Sequence, residues 1–255
     1  LIEVSIGDSE IFRLSGVFLF EADNQGVKAF VNAGLTIAGG EFLTIEALGV
    51  LIINSQGVAA DLELSLDIDV PGLGGADISA RMLLNTTAAE QSVTIPDQFL
   101  DSLSGTALAR LVDQDGNSID GIDGGTVDGE IDDDELVAAR LLSGDLRYVV
   151  SDRAPSIGDL LFDDGSPSDS APGFYIAIAF NANLRLGGAF NLDGQFGLIV
   201  TEQRIDLIIG ASISLAPLGS ISATGVLRID SGGLVGRVEL SLDAGLGAHS
   251  DVTVP

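Results

Sequence analysis

A near-duplicate inside the chain constrains its fold more than any other feature. Residues 49–67, GVLIINSQGVAADLELSLD, align without gaps on residues 225–243, GVLRIDSGGLVGRVELSLD, at an offset of 176 with 11 of 19 positions identical. Upstream, Phe12, Leu14, Gly16 and Phe18 fall on Phe190, Leu192, Gly194 and Phe196 at an offset of 178. Downstream, VTIP ending at Pro96 recurs as VTVP ending at Pro255, an offset of 159. The chain therefore holds two copies of one unit. The offsets of 176 and 159 make the first copy about 17 residues longer, and ADISARMLLNTTAAEQ is where the extra length is expected.

Both copies carry the period of a half-buried strand. Ile205, Leu207, Ile209, Ala211, Ile213 and Leu215 alternate with mostly small or polar residues, and Val238, Leu240 and Leu242 alternate with Arg237, Glu239, Ser241 and Asp243. Leu62, Leu64, Leu66 and Ile68 repeat the pattern against Asp61, Glu63, Ser65, Asp67 and Asp69. A period of two places successive side chains on opposite faces of antiparallel strands. Turns such as DNQG and DSGG join strands of about ten residues. The same strand order is expected over about residues 12–70 and 190–246, with Leu64 and Leu240 at equivalent buried positions and Glu63 and Glu239 facing water. The apolar face needs cover from a second sheet, a helix or a neighbouring copy.

Between the copies the period changes. PDQFLDSLSGTALARLV sets Phe99, Leu100, Leu103, Ala107 and Leu111 at helical spacing, and DDDELVAARLL opens a second helix. SDRAPSIGDLLFDDGSPSDSAPG follows as a linker. The fold class expected is mainly β with a small α insert: two homologous antiparallel β units, as sandwich or curved meander, separated by a helix–acidic loop–helix module. The boundaries are residues 1–80 for the first unit, 81–153 for the module, 154–172 for the linker and 173–255 for the second unit.

The two expected helices flank DQDGNSIDGIDGGTVDGEIDDDEL, residues 113–136, which carries ten carboxylates, five glycines and no basic residue. Crowded carboxylates repel one another unless solvent or a cation gathers them. An EF-hand loop asks for oxygen ligands at positions 1, 3, 5, 9 and 12 and a glycine at 6. Asp128, Gly129, Ile131, Asp132 and Glu135 fit positions 5, 6, 8, 9 and 12, with the Glu130 carbonyl between them. Asp113, Asp115 and Asn117 fit positions 1, 3 and 5 of a loop that then loses register, since Ser118 replaces the glycine and Gly124 the glutamate. Two arrangements stay open: one site with an insertion, or two ions with Asp120 and Asp123 bridging. A solvated acidic turn whose aspartates cap the next helix is the competing expectation.

Other chemistry is sparsely supported. The formal charge is −27, with Lys28 the only lysine, a balance that repels nucleic acid and anionic membranes. Cysteine is absent, and His249 is the only histidine, so thiol, zinc and imidazole-triad chemistry lack their residues. No apolar window approaches the roughly 18 residues of a membrane-spanning helix. The chain opens mid-strand without a signal peptide and reads as a piece of something longer.

The acidic stretch resembles EF-hand and dockerin-like calcium loops. Composition and architecture resemble the giant acidic repeat proteins that bacteria place outside the cell as adhesins and surface fibres. That resemblance implies an extracellular or cell-surface, calcium-stabilised structural segment rather than an enzyme, with neighbouring repeat units or identical chains as partners. A carbohydrate-, lipid- or partner-binding module of a secreted protein is the alternative.

Overall fold

The structure is a computed structural model that describes residues 2–6, 9–37, 42–70, 74–103, 105–113, 115–119, 137, 146–162, 170–186, 189–216 and 218–244. Eleven strands form one antiparallel sheet. The first copy contributes β1 (Ile2–Ile6), β2 (Ser9–Ala22), β3 (Gly26–Ile37), β4 (Leu43–Asn54), β5 (Gly57–Val70) and β6 (Gly74–Asn85). An insert follows with β7 (Gln91–Ile95), a 3-10 helix (Asp97–Ser102), α1 (Gly105–Ala109), β8 (Leu111–Val112), β9 (Leu146–Val150) and α2 (Ile157–Phe162). The second copy contributes β10 (Tyr175–Leu186), β11 (Phe190–Thr201), β12 (Arg204–Leu215), β13 (Gly219–Asp230) and β14 (Gly233–Ala244).

Strand order in the large sheet is β1-β2-β3-β4-β5-β6-β10-β11-β12-β13-β14, a meander interrupted only by the insert. The two copies share their strand order as the duplication implies, β2–β5 matching β11–β14. They are fused edge to edge: β10 pairs along β6 from Tyr175 opposite Asn85 to Leu186 opposite Gly74. β6 lies almost wholly within the segment where the first copy is longer, so the extra residues supply the strand that joins the two units.

Hairpin turns at one end of the sheet share a mechanism. Asn54 Oδ1 accepts the amides of Gln56 at 2.9 Å and Gly57 at 3.2 Å, and Asp23 Oδ1 does the same for Gln25 at 2.7 Å and Gly26 at 3.1 Å. Gly57 has φ +147°, and a Cβ there would lie 2.3 Å from Thr86 Oγ1, so only glycine closes this turn.

The sheet has two unlike faces. On one, cross-strand rows are apolar at every position from β3 to β14. Ile37, Leu43, Ile68, Ala76, Leu184, Leu192, Ile213, Ile221 and Leu242 make one row. Ala33, Ala47, Leu64, Ala80, Phe180, Phe196, Ile209, Gly225 and Val238 make another, and the rows on either side of these continue the pattern. The opposite face carries the acids, amides and hydroxyls of the same strands, and the insert packs against it.

The core therefore lies on the face that the strand alternation marks as polar. Val17, Phe30, Leu48, Val50, Ile52 and Ala59 of the sheet meet Leu100, Ala107, Leu111, Ile119, Leu146, Tyr148 and Val150 of the insert, all buried. β4 makes this possible because Ala47–Ile53 is apolar on both faces, the pattern of a doubly covered strand. Phe30 and Tyr148 pack in a tilted arrangement with ring centroids 6.0 Å apart. A second cluster joins Leu160 and Leu161 of α2 to Leu83, Tyr175, Ala177 and Ile199.

Three expectations change. Leu64 and Leu240 do occupy one face at equivalent positions, but they are 49% and 75% exposed, while Glu63 on the other face is half-buried beside Arg110. The insert chose the face whose strand ends are apolar, and this left the uniformly apolar face uncovered. The expected first helix is split into a 3-10 turn and a single α-turn by Leu103, and the module also holds the three-stranded sheet β7-β9-β8. The expected linker contains α2, anchored on the second unit where Gly197 leaves room for Ile157 and Leu161. The expected second helix lies outside the described residues save Val137, which is helical.

Candidate functional site

Of the proposed calcium ligands, Asp113, Asp115 and Asn117 are described; Asp120, Asp123, Asp128, Glu130, Asp132 and Glu135 lie outside the described residues. The three form one compact turn after β8. Asp113 Oδ1 accepts the backbone amides of Asp115 at 2.8 Å and Asn117 at 2.9 Å, and Oδ2 accepts Asn117 Nδ2 at 3.1 Å. The Asp113 amide donates back to the Asn117 carbonyl at 2.9 Å, and Gly116 takes the left-handed position with φ +86°. Hydrogen bonds from Asn117, and then from the Asp115 and Gly116 amides, hold the Asp113 carboxyl below its ordinary range.

The turn is tied to the core. Val112 and Ser118 form a bridge, the Ile119 amide donates to the Leu111 carbonyl at 3.4 Å, and Ile119 is fully buried. Arg147 Nη2 donates to the Asp113 carbonyl at 3.1 Å from β9. An anionic carboxylate on a fixed turn suits a hard cation, yet the Asp113 carboxylate is already engaged by Asp115 and Asn117 within the turn. Among the described residues no group of three or more acids or histidines is gathered for a metal.

A second constellation lies beneath the insert. Asp61, 4% exposed, accepts Arg81 Nε at 3.3 Å, Arg81 Nη2 at 3.2 Å and the Tyr148 hydroxyl at 3.0 Å, with Arg110 Nη1 3.5 Å away. Arg110 Nη2 reaches Glu63 at 2.6 Å. Two carboxylates and two guanidiniums neutralise each other, so the network clamps the insert to β5 and β6. Burial, and after it the nearby Asp61 charge, push the phenols of Tyr148 and Tyr175 far up. Sequence reasoning missed this network: Asp61 reads as one more outward acid in an alternating strand, and Arg110 and Tyr148 meet it from far along the chain.

Toward the other end of the same face, Ser79, Asn181, Asn183, Asp193, Gln195, Ser212 and Thr224 line a depression of about 570 Å³. Its polar groups largely satisfy one another. Asp193 accepts from Asn183, from Asn191 at 2.7 Å and from Ser212 at 3.3 Å. At its rim Asp67 stands directly opposite Asp77, and desolvation together with the Asp77 charge raises the Asp67 pKa.

The fold and its features define a class: an open antiparallel meander made of two fused repeats, carrying an α+β insert on one face and an apolar surface on the other. No protein-family model, no curated protein and no solved structure matches the chain.

Proposed function

We propose that the chain is a structural segment of an extracellular repeat protein, stiffened by calcium and forming part of a surface adhesin, fibre or layer. One observation carries this reading: the duplicated units do not fold as separate beads but continue one another's sheet along the whole of β6 and β10. A repeat that adds strands to its neighbour's edge lengthens an array by backbone hydrogen bonding, without a specific side-chain lock. The acidic segment of the insert is where calcium would stiffen the array, its crowded carboxylates and EF-hand-like spacing supporting this reading. No turnover of any substrate is part of the reading.

The test is calorimetric titration of calcium into the chain, combined with small-angle scattering in calcium and in chelator. Calcium binding that weakens in Asp113→Ala/Asp115→Ala, with a more compact particle in calcium, is expected. Absence of binding would remove calcium from the proposal. The depression lined in part by Asn183 and Asp193 favours the alternative of a binding module, for which soluble oligosaccharides are the first probe. Saturable binding abolished by Asn183→Ala would move the assignment there.

A further inference from the structure

We infer that the apolar face of the large sheet is the pairing surface for a second copy of this chain, giving a face-to-face sandwich. The inference concerns a different surface from the sheet edges and stands whether or not the chain belongs to an array. Monomeric proteins rarely leave more than a few hundred Å² of contiguous apolar surface in water. Here nine strands about 4.8 Å apart and five rows about 7 Å apart span on the order of 1,500 Å². Phe18, Phe180, Ile209, Val238 and Leu240 on this face are 42% to 82% exposed. A stable dimer needs about 800 Å² per partner, so the face is large enough for an obligate one.

The distribution of charge selects a protein sheet as the occupant. From β3 to β14 this face holds no acid or base, so the charged side chains of these strands all lie on the other face. Pairing apolar faces keeps those charges outward and apart, and salt screens what repulsion remains. A bilayer fits poorly: the chain has no tryptophan and both tyrosines are buried under the insert, so the amphipathic aromatics that favour a membrane interface are missing from the face.

The relief of the face is self-complementary. In the first copy Gly16, Ala33 and Ala47 form a low strip across β2–β4. In the second copy the same row rises as Phe180, Phe196 and Ile209 across β10–β12. A two-fold axis that lays the first half of one copy over the second half of the other sets the ridge into the strip twice, and interdigitation of this kind builds the roughly 10 Å core of aligned sandwiches.

Sedimentation and light scattering of the detergent-free chain test the proposal. Twice the 26.1 kDa chain mass is expected, rising in dimer fraction with salt. Phe180→Asp should shift the mass to one chain while strand circular dichroism is kept. Because the chain has no cysteine, a mixture of Ala47→Cys and Phe180→Cys chains provides a second readout that does not depend on that variant folding. A mixed disulfide between them is expected, at a yield well above Ala47→Cys mixed with Ser212→Cys on the polar face. A monomer at tens of micromolar, cross-linking no better than that control, or a monomer that takes up neutral phosphatidylcholine vesicles through this face would overturn the inference.

Discussion

Replacing Asp61 by alanine tests how the insert is held. The carboxylate is 4% exposed and serves Arg81, Arg110 and the Tyr148 hydroxyl together. Removing it leaves Arg81 and Arg110, whose side chains are 14% and 13% exposed, with Glu63 as their remaining carboxylate in the network. Breaking a buried pair by deleting one partner costs about 3–5 kcal/mol, and a stranded buried hydroxyl adds to the same loss rather than independently. The duplication supplies an internal control, because Asp61 aligns with Arg237 at the offset of 176. Arg237 is 79% exposed and, among the described residues, pairs with Glu239, so Arg237→Ala should cost about 0–0.5 kcal/mol. Urea unfolding followed by tyrosine fluorescence suits the comparison. The chain has no tryptophan, and Tyr148 and Tyr175 are its only tyrosines, both buried where the insert and α2 meet the sheet. An Asp61→Ala cost below about 1 kcal/mol, or equal to that of Arg237→Ala, would refute the clamp.

Three further outcomes are expected. Alkaline titration followed by tyrosinate absorbance should show no ionisation near the ordinary phenol value: both folded pKa values are raised, so their stabilisation is complete below about 10 and is lost as pH climbs above it, ionisation arriving with unfolding. Asp113 behaves oppositely, its folded pKa being depressed: the turn is stabilised above the ordinary value of 3.8 and loses that support as pH falls through the folded pKa, which carboxyl NMR of Asp113 should place below 3.8. Gly57→Val, which forces a Cβ to within 2.3 Å of Thr86 Oγ1 at φ +147°, should lower stability by about 1–3 kcal/mol in the same urea assay, whereas Gly173→Ala, which meets nothing within 4 Å, should be nearly silent.

Period-two alternation and the internal duplication made the β units, their antiparallel order and the turn glycines legible, because each rests on local chemistry that repeats. Which face the insert covers was not legible. Leu62, Leu64 and Leu66 form the more regular apolar stripe of β5, yet the insert sits over Ala59, Asp61 and Glu63, because the neighbouring Phe30, Leu48, Val50 and Ile52 make that side apolar near one end. The deciding contacts join residues far apart in the chain, such as Asp61 to Tyr148. The helix expected over Phe99–Leu111 failed where Leu103 turns extended to cap the 3-10 segment, leaving Leu111 to pair with Tyr148 in a strand. At the acidic loop, Asp113, Asp115 and Asn117, expected as calcium ligands from their spacing, share one turn whose order hydrogen bonds inside it account for.

The most direct test of the central claim is fibre or electron diffraction from aligned assemblies of the protein. Units fused edge to edge require strands perpendicular to the long axis of the assembly, giving a reflection near 4.8 Å along that axis. The account predicts this reflection, together with a longer axial repeat set by one duplicated unit. Strands running parallel to the long axis, or isotropic scattering from beads joined by linkers, would contradict it.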